Sequence, residues 1–401
     1  MKIKKQSSQL KVAYLGPFTN QYLRPYLPTL TDEDVHRSPG MGGYGLVPLV
    51  LERLERKLPT VLITLDNQIE NERLIRRNAN FEFYSLPRRK RRKLLTLFKS
   101  EKDMIQDVLE ASKPDVIHAH WTYEYALAAL TSKLNIPVLV TVRDHTLDVL
   151  RYSGLYYLGL FFMTLWVYRK AKYMSAVSPH PYALACKLSK SKVWMIENVM
   201  LKTLFRPTKS FEQKIQNGKL IIVAATLWDN LKNPKAAIKV FHRLYSEQPN
   251  FELHLCGPGM EPNGPAAHWA FSKKMERGIV FEGNMAHESL IDLLEIAVLY
   301  LHTSRTEACN TAIAEAMALG VPVIGRKNAG GVPWQLNYGR AGILVDFANY
   351  SQVAKEIKNI TSNPADWDLL SKRSRERAIS LYDGKRIFDE YEQIYQEMLN
   401  G

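Results

Sequence analysis

A chain of 401 residues with 46% hydrophobic and 23% charged residues is too long for one ordinary core and too apolar for disorder or fibrous repeats, so two globular domains are expected. Lys and Arg number 54 against 40 Asp and Glu, and the formal net charge of +14 asks for an anionic partner or an explanation within the fold. Three scattered cysteines, Cys186, Cys256 and Cys309, exclude a disulfide framework and point to a reducing compartment.

The start, Met1 to Lys5, has the basic character of a signal peptide but lacks its apolar core, so a cytoplasmic location is expected. Strand patterns begin at 11–16, 60–65, 81–86, 115–120, 137–142, 173–178 and 192–196, with helical patterns between most of them. Repeated strand–helix–strand order predicts a parallel sheet covered on both faces. Within the first half, Asp32-Glu33-Asp34 has the spacing of a metal-binding pair but sits in a polar loop and reads as solvated charge. Residues 40–45 fit a G-x-G-x-x-G pattern, yet a long loop separates them from the first strand, which sets a dehydrogenase aside.

Arg88 to Lys93 form an unbroken basic block ahead of a helical pattern at 94–111. Such a block attracts anionic lipid headgroups, and a solvated loop is the plain alternative. Nucleic acid is not expected, because no aromatics are interleaved to stack on bases. His118 and His120 fall on one side of a strand, and no further ligands cluster there to hold zinc. The apolar run 155–168 is shorter than the roughly 20 residues a spanning helix needs, so a buried helix is expected, with a surface-lying helix the alternative.

Between 197 and 219 the alternation lapses into a polar stretch with Pro and Gly, as at a domain boundary. A second strand series follows at 219–225, 251–256, 279–283, 298–303, 321–325 and 342–345. The expected organisation is an N-terminal domain over 1–200, a C-terminal domain over 201–380 and a terminal helix over 381–401. In that helix Phe388, Tyr391, Ile394, Tyr395 and Met398 share one face. Either domain can supply its partner surface, the N-terminal one being a candidate.

Ligands of open parallel sheets bind beyond the carboxyl ends of the strands, so polar residues just after strands are the candidates for chemistry. Residues 304–325 follow one strand and lead into the next. Thr311 to Leu319 read as a helix with Asn310 as N-cap and Gly320 as its stop, and the helix start is a ready phosphate site. Glu307 lies in the preceding loop and Glu315 one turn inside the helix, where carboxylates can accept hydroxyl hydrogen bonds. Lys232 precedes a helix start at Pro234 and is placed to neutralise a diphosphate, although lysines also occur at such junctions on plain surfaces. The pair Gly330-Gly331 permits close backbone approach to a ligand; a tight turn would explain the same pair.

Taken jointly, Glu307 and Glu315 with seven residues between them, the following Ala316-Met317-Ala318-Leu319-Gly320-Val321-Pro322-Val323, Lys232-Asn233 and Gly330-Gly331 resemble the C-terminal domain of the large retaining glycosyltransferase family four. Residues 115–130, 137–146 and Gly42-Gly43 resemble its N-terminal domain less tightly. The resemblance implies an α/β protein of the GT-B fold, two Rossmann-like doubly wound parallel-sheet domains facing a central cleft. It implies transfer of a sugar from a nucleotide diphosphate donor to a glycan or lipid-linked acceptor, with retention, no metal and no cofactor beyond the donor. Catalytic roles would fall on Glu307, Lys232 and Arg143. Donor contacts would fall on Glu315, Thr226, Asn310, Thr311, Ala312, Gly257 and Met285, and acceptor or cleft contacts on Gly42, Gly43, His120, Asp144, Gly330 and Gly331. The chain departs from the family at Thr226, where an Arg is usual, at Arg143, where a His often stands, and at Trp334, a place often acidic. An epimerase of the same fold, or a basic scaffold that binds membranes or nucleic acid without catalysis, are the competing functions.

Overall fold

The computed structural model describes residues 10–36, 45–69, 73–90, 94–152 and 154–401. The chain divides into two compact units, Met1–Leu201 with Asp383–Gly401, and Lys202–Tyr382.

Unit 1 is built on eight strands: β1 (Val12–Leu15), β2 (Thr60–Asp66), β3 (Leu74–Arg77), β4 (Phe81–Pro87), β5 (Val116–His120), β6 (Val138–Val142), β7 (Tyr173–Ala176) and β8 (Lys192–Met195), in the order β3-β4-β2-β1-β5-β6-β7-β8. Every pairing is parallel except β3 with β4. β1, β2 and β5 are buried along their whole length, which is why they read as continuous apolar runs and not as alternation. The sequence patterns miss β3. Its residues, Leu-Ile-Arg-Arg, are few and half charged, the composition of an edge that discourages further pairing.

Unit 2 carries β9 (Leu220–Ala225), β10 (Phe251–Cys256), β11 (Ile279–Gly283), β12 (Leu299–His302), β13 (Val323–Arg326) and β14 (Ile343–Val345), all parallel, in the order β11-β10-β9-β12-β13-β14. This is a doubly wound sheet whose order reverses between β9 and β12, and the crevice outside those two strand ends is where such sheets bind ligands. In unit 1 the equivalent reversal lies between β1 and β5.

The terminal helix Gly384–Asn400 belongs to unit 1. Its buried Phe388, Tyr391, Ile394, Tyr395 and Met398 join Val12, Tyr14, Val47 and Val50 in one apolar cluster. Arg53, fully buried, pairs with Glu392 of this helix, and Arg56 bonds Asp389 at 2.8 Å.

Three expectations need correction. Asp32–His36 is a short helix, and Asp34 is buried, accepting from Thr31 N–H at 3.1 Å and from Arg76 Nη2 at 2.9 Å. A cation on β3 gives that carboxylate the partner that the polar loop seemed to lack. Arg88 and Arg89, the start of the basic block, pair with Glu124 and Glu101, so carboxylates of the fold compensate them; residues 91–93 lie outside the described residues. The helix Leu155–Lys170 buries Leu160, Met163, Val167 and Tyr168, but exposes Tyr156, Tyr157, Leu158 and Phe162. Among the described residues no helix is long and apolar enough to cross a membrane, and the three cysteines form no disulfide.

Candidate functional site

Two loops meet at the switch point of unit 2. The first leaves β9 and runs to Asn233, whose left-handed backbone (φ 54°) turns the chain into the helix Pro234–Glu247. The second leaves β12 and runs through Glu307 to the helix Thr311–Ala318. Hydrogen bonds stitch them together: Arg305 N–H to Leu231 O at 2.8 Å, Thr303 Oγ1 to Lys232 O at 3.0 Å, and Arg305 Nε to Asn230 O at 2.9 Å. Strand pairing of β9 with β12 thus brings residues 75 positions apart into one site.

At its centre Lys232 Nζ donates to Glu307 Oε1 at 2.7 Å, and His302 Nε2 lies 3.3 Å from the same oxygen. Only 10% of the Glu307 side chain is exposed, so it is not a freely solvated loop carboxylate. Burial works against ionisation of Glu307, but the Lys232 ammonium and the His302 imidazole outweigh it and hold the carboxyl far below the ordinary range. The ionised carboxylate can only accept, so His302 Nε2 carries the proton of that contact.

Behind this pair, Asn310 caps the helix Thr311–Ala318 by accepting from Ile313 N–H at 2.9 Å. The amides of Thr311 and Ala312 then remain at the helix start without intrahelical acceptors. Gln335 fixes the cap from the other side, accepting from Asn310 N–H at 2.8 Å and donating to Asn310 O at 3.0 Å. Gly320 ends the helix with φ 67°, a conformation that favours glycine.

Glu315 is buried and accepts from His287 Nε2 at 2.7 Å. Burial opposes protonation of His287, but the Glu315 carboxylate outweighs it and raises the imidazole's pKa. The glycine pair joins the same loop, since Gly331 N–H donates to Glu307 O at 2.8 Å. Thr226 and Gly257 sit at the ends of β9 and β10: Thr226 N–H donates to Cys256 O at 2.8 Å, and a Cβ on Gly257 (φ 116°) would overlap the Thr226 carbonyl oxygen. Met285 is half-buried just ahead of the helix His287–Ile296. Trp334 lies beside Arg377, whose Cζ is 5.6 Å from the indole centroid.

His120, Arg143 and Asp144 belong to unit 1. Arg143 donates from Nε to His120 Nδ1 at 3.0 Å, from Nη1 to Asn198 Oδ1 at 2.8 Å and from Nη2 to Gly45 O at 2.9 Å, with Cζ 5.3 Å from the Trp121 ring centre. His118 and His120 are both fully buried, with centroids 4.2 Å apart. Burial and the Arg143 guanidinium hold both imidazoles well below their usual pKa, with His118 adding to the effect on His120. Tyr123 donates to Asp144 Oδ2 at 3.3 Å. Gly42 and Gly43 lie outside the described residues.

Sequence reasoning does not single out His302, His287, Gln335 or Asn198. Their only signal is a polar side chain at a strand end or helix start, which many surface residues share.

Comparison with known proteins finds a matching family model in each half. The model of the glycosyl transferases group 1 family matches residues 205–379, and that of the glycosyl transferase 4-like domain matches 49–185. The chain is 24% identical over 188 residues to the N-acetyl-alpha-D-glucosaminyl L-malate synthase of Bacillus anthracis, covering 47% of this chain and 48% of that one. It is 23% identical over 313 residues to a glycogen synthase of Mycobacterium tuberculosis, covering 72% and 70%. The chain thus spans about half the length of the first of these relatives and somewhat over two thirds of the second. The fold is similar to that of sucrose-phosphate synthase from Thermosynechococcus elongatus, with a TM-score of 0.78 at 16% identity over 98% of this chain and 100% of that one. It is also similar to HepE of Anabaena, solved in complex with UDP and glucose, with a TM-score of 0.69 at 14% identity over 96% and 99%.

Proposed function

We propose that the chain, whose two parts match the glycosyl transferases group 1 and glycosyl transferase 4-like models and whose fold is GT-B, moves a sugar from a nucleoside diphosphate to a glycan or lipid-linked acceptor, with retention of configuration and without a required metal. The observation that carries this reading is the Lys232–Glu307 pair set beside the start of the helix Thr311–Ala318. When a donor binds, its diphosphate lies against the amides of Thr311 and Ala312 and gives Lys232 a second anion to bridge. As the bond from the anomeric carbon to the diphosphate oxygen breaks, its electron pair leaves with the diphosphate. A fixed ammonium and preorganised N–H donors stabilise that growing charge without reorganising. Glu307, kept ionised, accepts from hydroxyls of the donor sugar, and Glu315 accepts from those of the ribose.

Glu307→Gln keeps the shape of the side chain and removes its charge. Turnover of a nucleotide sugar is expected to fall by roughly two to three orders of magnitude with the fold retained, although stability drops because the variant loses the ion pair with Lys232. Wild-type rates in this variant would defeat the assignment. Reaction of the donor without any acceptor would favour an epimerase, and transfer surviving EDTA supports the metal-independent departure of the diphosphate.

Peripheral attachment to an anionic membrane is a second part of this reading. Leu95 and Leu97 are 84% and 64% exposed, Phe162 is 61% exposed, and the half-exposed Tyr156, Tyr157 and Leu158 share its helix. Leu94 packs against Gly159 of that helix, so the apolar turn and the apolar face adjoin, with Lys90 exposed nearby in sequence. Exposed apolar side chains near a cation suit a headgroup layer. Sedimentation with phosphatidylglycerol vesicles, reduced by Leu95→Asp with Phe162→Asp, is the expected result; equal sedimentation of wild type and variant would refute it.

A further inference from the structure

Two neighbouring strand-to-helix turns of unit 1 assemble side chains for which the sugar-transfer reading has no use. The helix Thr146–Tyr152 follows β6, and the helix Pro179–Leu188 follows β7, which pairs parallel with β6. His145 and Asp148 are three residues apart at the start of the first helix, so both reach over one turn. His180 comes from the first turn of the second helix.

Asp148 Oδ2 hydrogen-bonds His180 Nε2 at 2.7 Å and stands 3.2 Å from His145 Nδ1. The two imidazoles stack, with centroids 4.0 Å apart and planes 18° from parallel. His145 Nδ1 is nevertheless buried without a hydrogen-bond partner. Taken as donors, the three atoms lie within 4.8 Å of one another.

We infer that His145, Asp148 and His180 bind a late first-row divalent cation, with zinc the expected occupant. Two imidazole nitrogens and one carboxylate oxygen are the donors zinc and cobalt(II) prefer, whereas magnesium and calcium take oxygen. Tetrahedral metal–donor bonds of about 2.0–2.1 Å set neighbouring donor atoms roughly 3.3–3.4 Å apart. The 3.2 Å from Asp148 Oδ2 to His145 Nδ1 is close to that spacing, and the 2.7 Å to His180 Nε2 is a hydrogen bond that lengthens by about 0.6 Å when the metal replaces its proton. An ordinary His–Asp hydrogen bond accounts for one imidazole only. It leaves a second ring stacked on the first with its nitrogen unsatisfied, and a metal would engage all three groups at once. The partial positive charge of the helix starts works against a cation, an effect screened by solvent and small beside direct coordination. Three protein ligands leave a position open for water or a substrate oxygen.

The test uses the full chain freed of metal by EDTA and then dialysed. Titration with cobalt(II) is expected to give visible absorption bands that zinc abolishes. Zinc at about a hundredfold excess over its Kd should raise Tm by several degrees. Asp148→Asn and His180→Gln should each weaken cobalt binding by roughly tenfold or more while their metal-free Tm stays near that of the wild type. Absence of the bands, or equal affinity in wild type and both variants, would overturn the proposal. The measurement uses no nucleotide sugar, so its failure leaves the donor-site reading standing, and loss of transfer in Glu307→Gln says nothing about it.

Discussion

The two switch points solve the placement of a half-buried cation in opposite ways. In unit 2 the Lys232 ammonium faces a carboxylate and keeps it ionised. In unit 1 the Arg143 guanidinium is held by neutral acceptors of its own unit, His120 Nδ1, Asn198 Oδ1 and Gly45 O, beside two imidazoles that burial and the guanidinium keep uncharged. A flexible ammonium with 24% of its side chain exposed can turn from its carboxylate toward an arriving phosphate. A planar guanidinium with three of its five N–H donors committed to a loop, a strand end and an asparagine fixes geometry instead. The two cations thus differ in their settings: Lys232 faces one carboxylate with part of its side chain in solvent, and Arg143 is tied to the backbone at Gly45.

Lys232→Met puts the larger effect on chemistry. Transition-state stabilisation by a single preorganised cation is commonly worth about 10²–10³ in turnover, and a loss of that size is expected here with little change in fold. The variant should also acquire a pH dependence. With Lys232 present, Glu307 stays ionised throughout the assay range; without it, burial is opposed by His302 alone, the carboxyl pKa rises, and kcat/KM falls as pH drops through it. The stability sign agrees. A depressed carboxylate stabilises the fold above its unfolded pKa of about 4.3, and that contribution disappears as pH falls through the folded value. Acid unfolding of Lys232→Met, followed by circular dichroism, should therefore begin at higher pH than in the wild type. Identical profiles would break the claimed pairing.

Arg143→Met should do the reverse, costing stability more than chemistry. It strands three buried or half-buried acceptors, at about 1–3 kcal/mol for each that water cannot reach, so a loss of roughly 2–4 kcal/mol in denaturant unfolding is expected. Both imidazoles should also titrate at higher pH by NMR, since one of the causes depressing them is gone. Gly45→Ala is a milder form of the same perturbation, because the added Cβ would overlap Arg143 Nη1 and displace the guanidinium. If Arg143→Met instead lost turnover at unchanged stability, the guanidinium would belong to the chemistry and the contrast between the units would fail.

What the sequence discloses and what it conceals follows from the range of the interactions. Parallel strands buried on both faces announce themselves as apolar runs, so β1, β2, β5, β9 and β12 are legible; β3 is not, because an edge strand written Leu-Ile-Arg-Arg carries no such run. The helix start at Asn310 is legible from a local cap, since Asn310 and Ile313 are three residues apart. Glu307 and Lys232 are nameable singly, but their contact spans 75 positions and exists only because β9 pairs with β12. The same range hides His287 behind Glu315, and hides Glu124 and Glu101 as the partners of Arg88 and Arg89. A charge run reads as free whenever its neutralising carboxylates come from another element.

The smallest expected effect tests how the helix start in unit 2 works. Asn310→Ala removes the oxygen that takes Ile313 N–H, a change worth about 1 kcal/mol and a few degrees in Tm at most for a domain of this size. Asn310→Ser should restore most of it, because a hydroxyl at the cap can accept the same bond. Affinity for a nucleoside diphosphate, measured by calorimetry, should fall less than about threefold in either variant, since the proposed diphosphate contacts are the amides of Thr311 and Ala312 together with Lys232, none of which the cap side chain provides. A tenfold loss that serine does not rescue would mean that the Asn310 amide itself touches the donor. The helix start would then contribute through one side chain and not through its backbone, and the anion-binding half of the contrast with unit 1 would have to be redrawn around that residue.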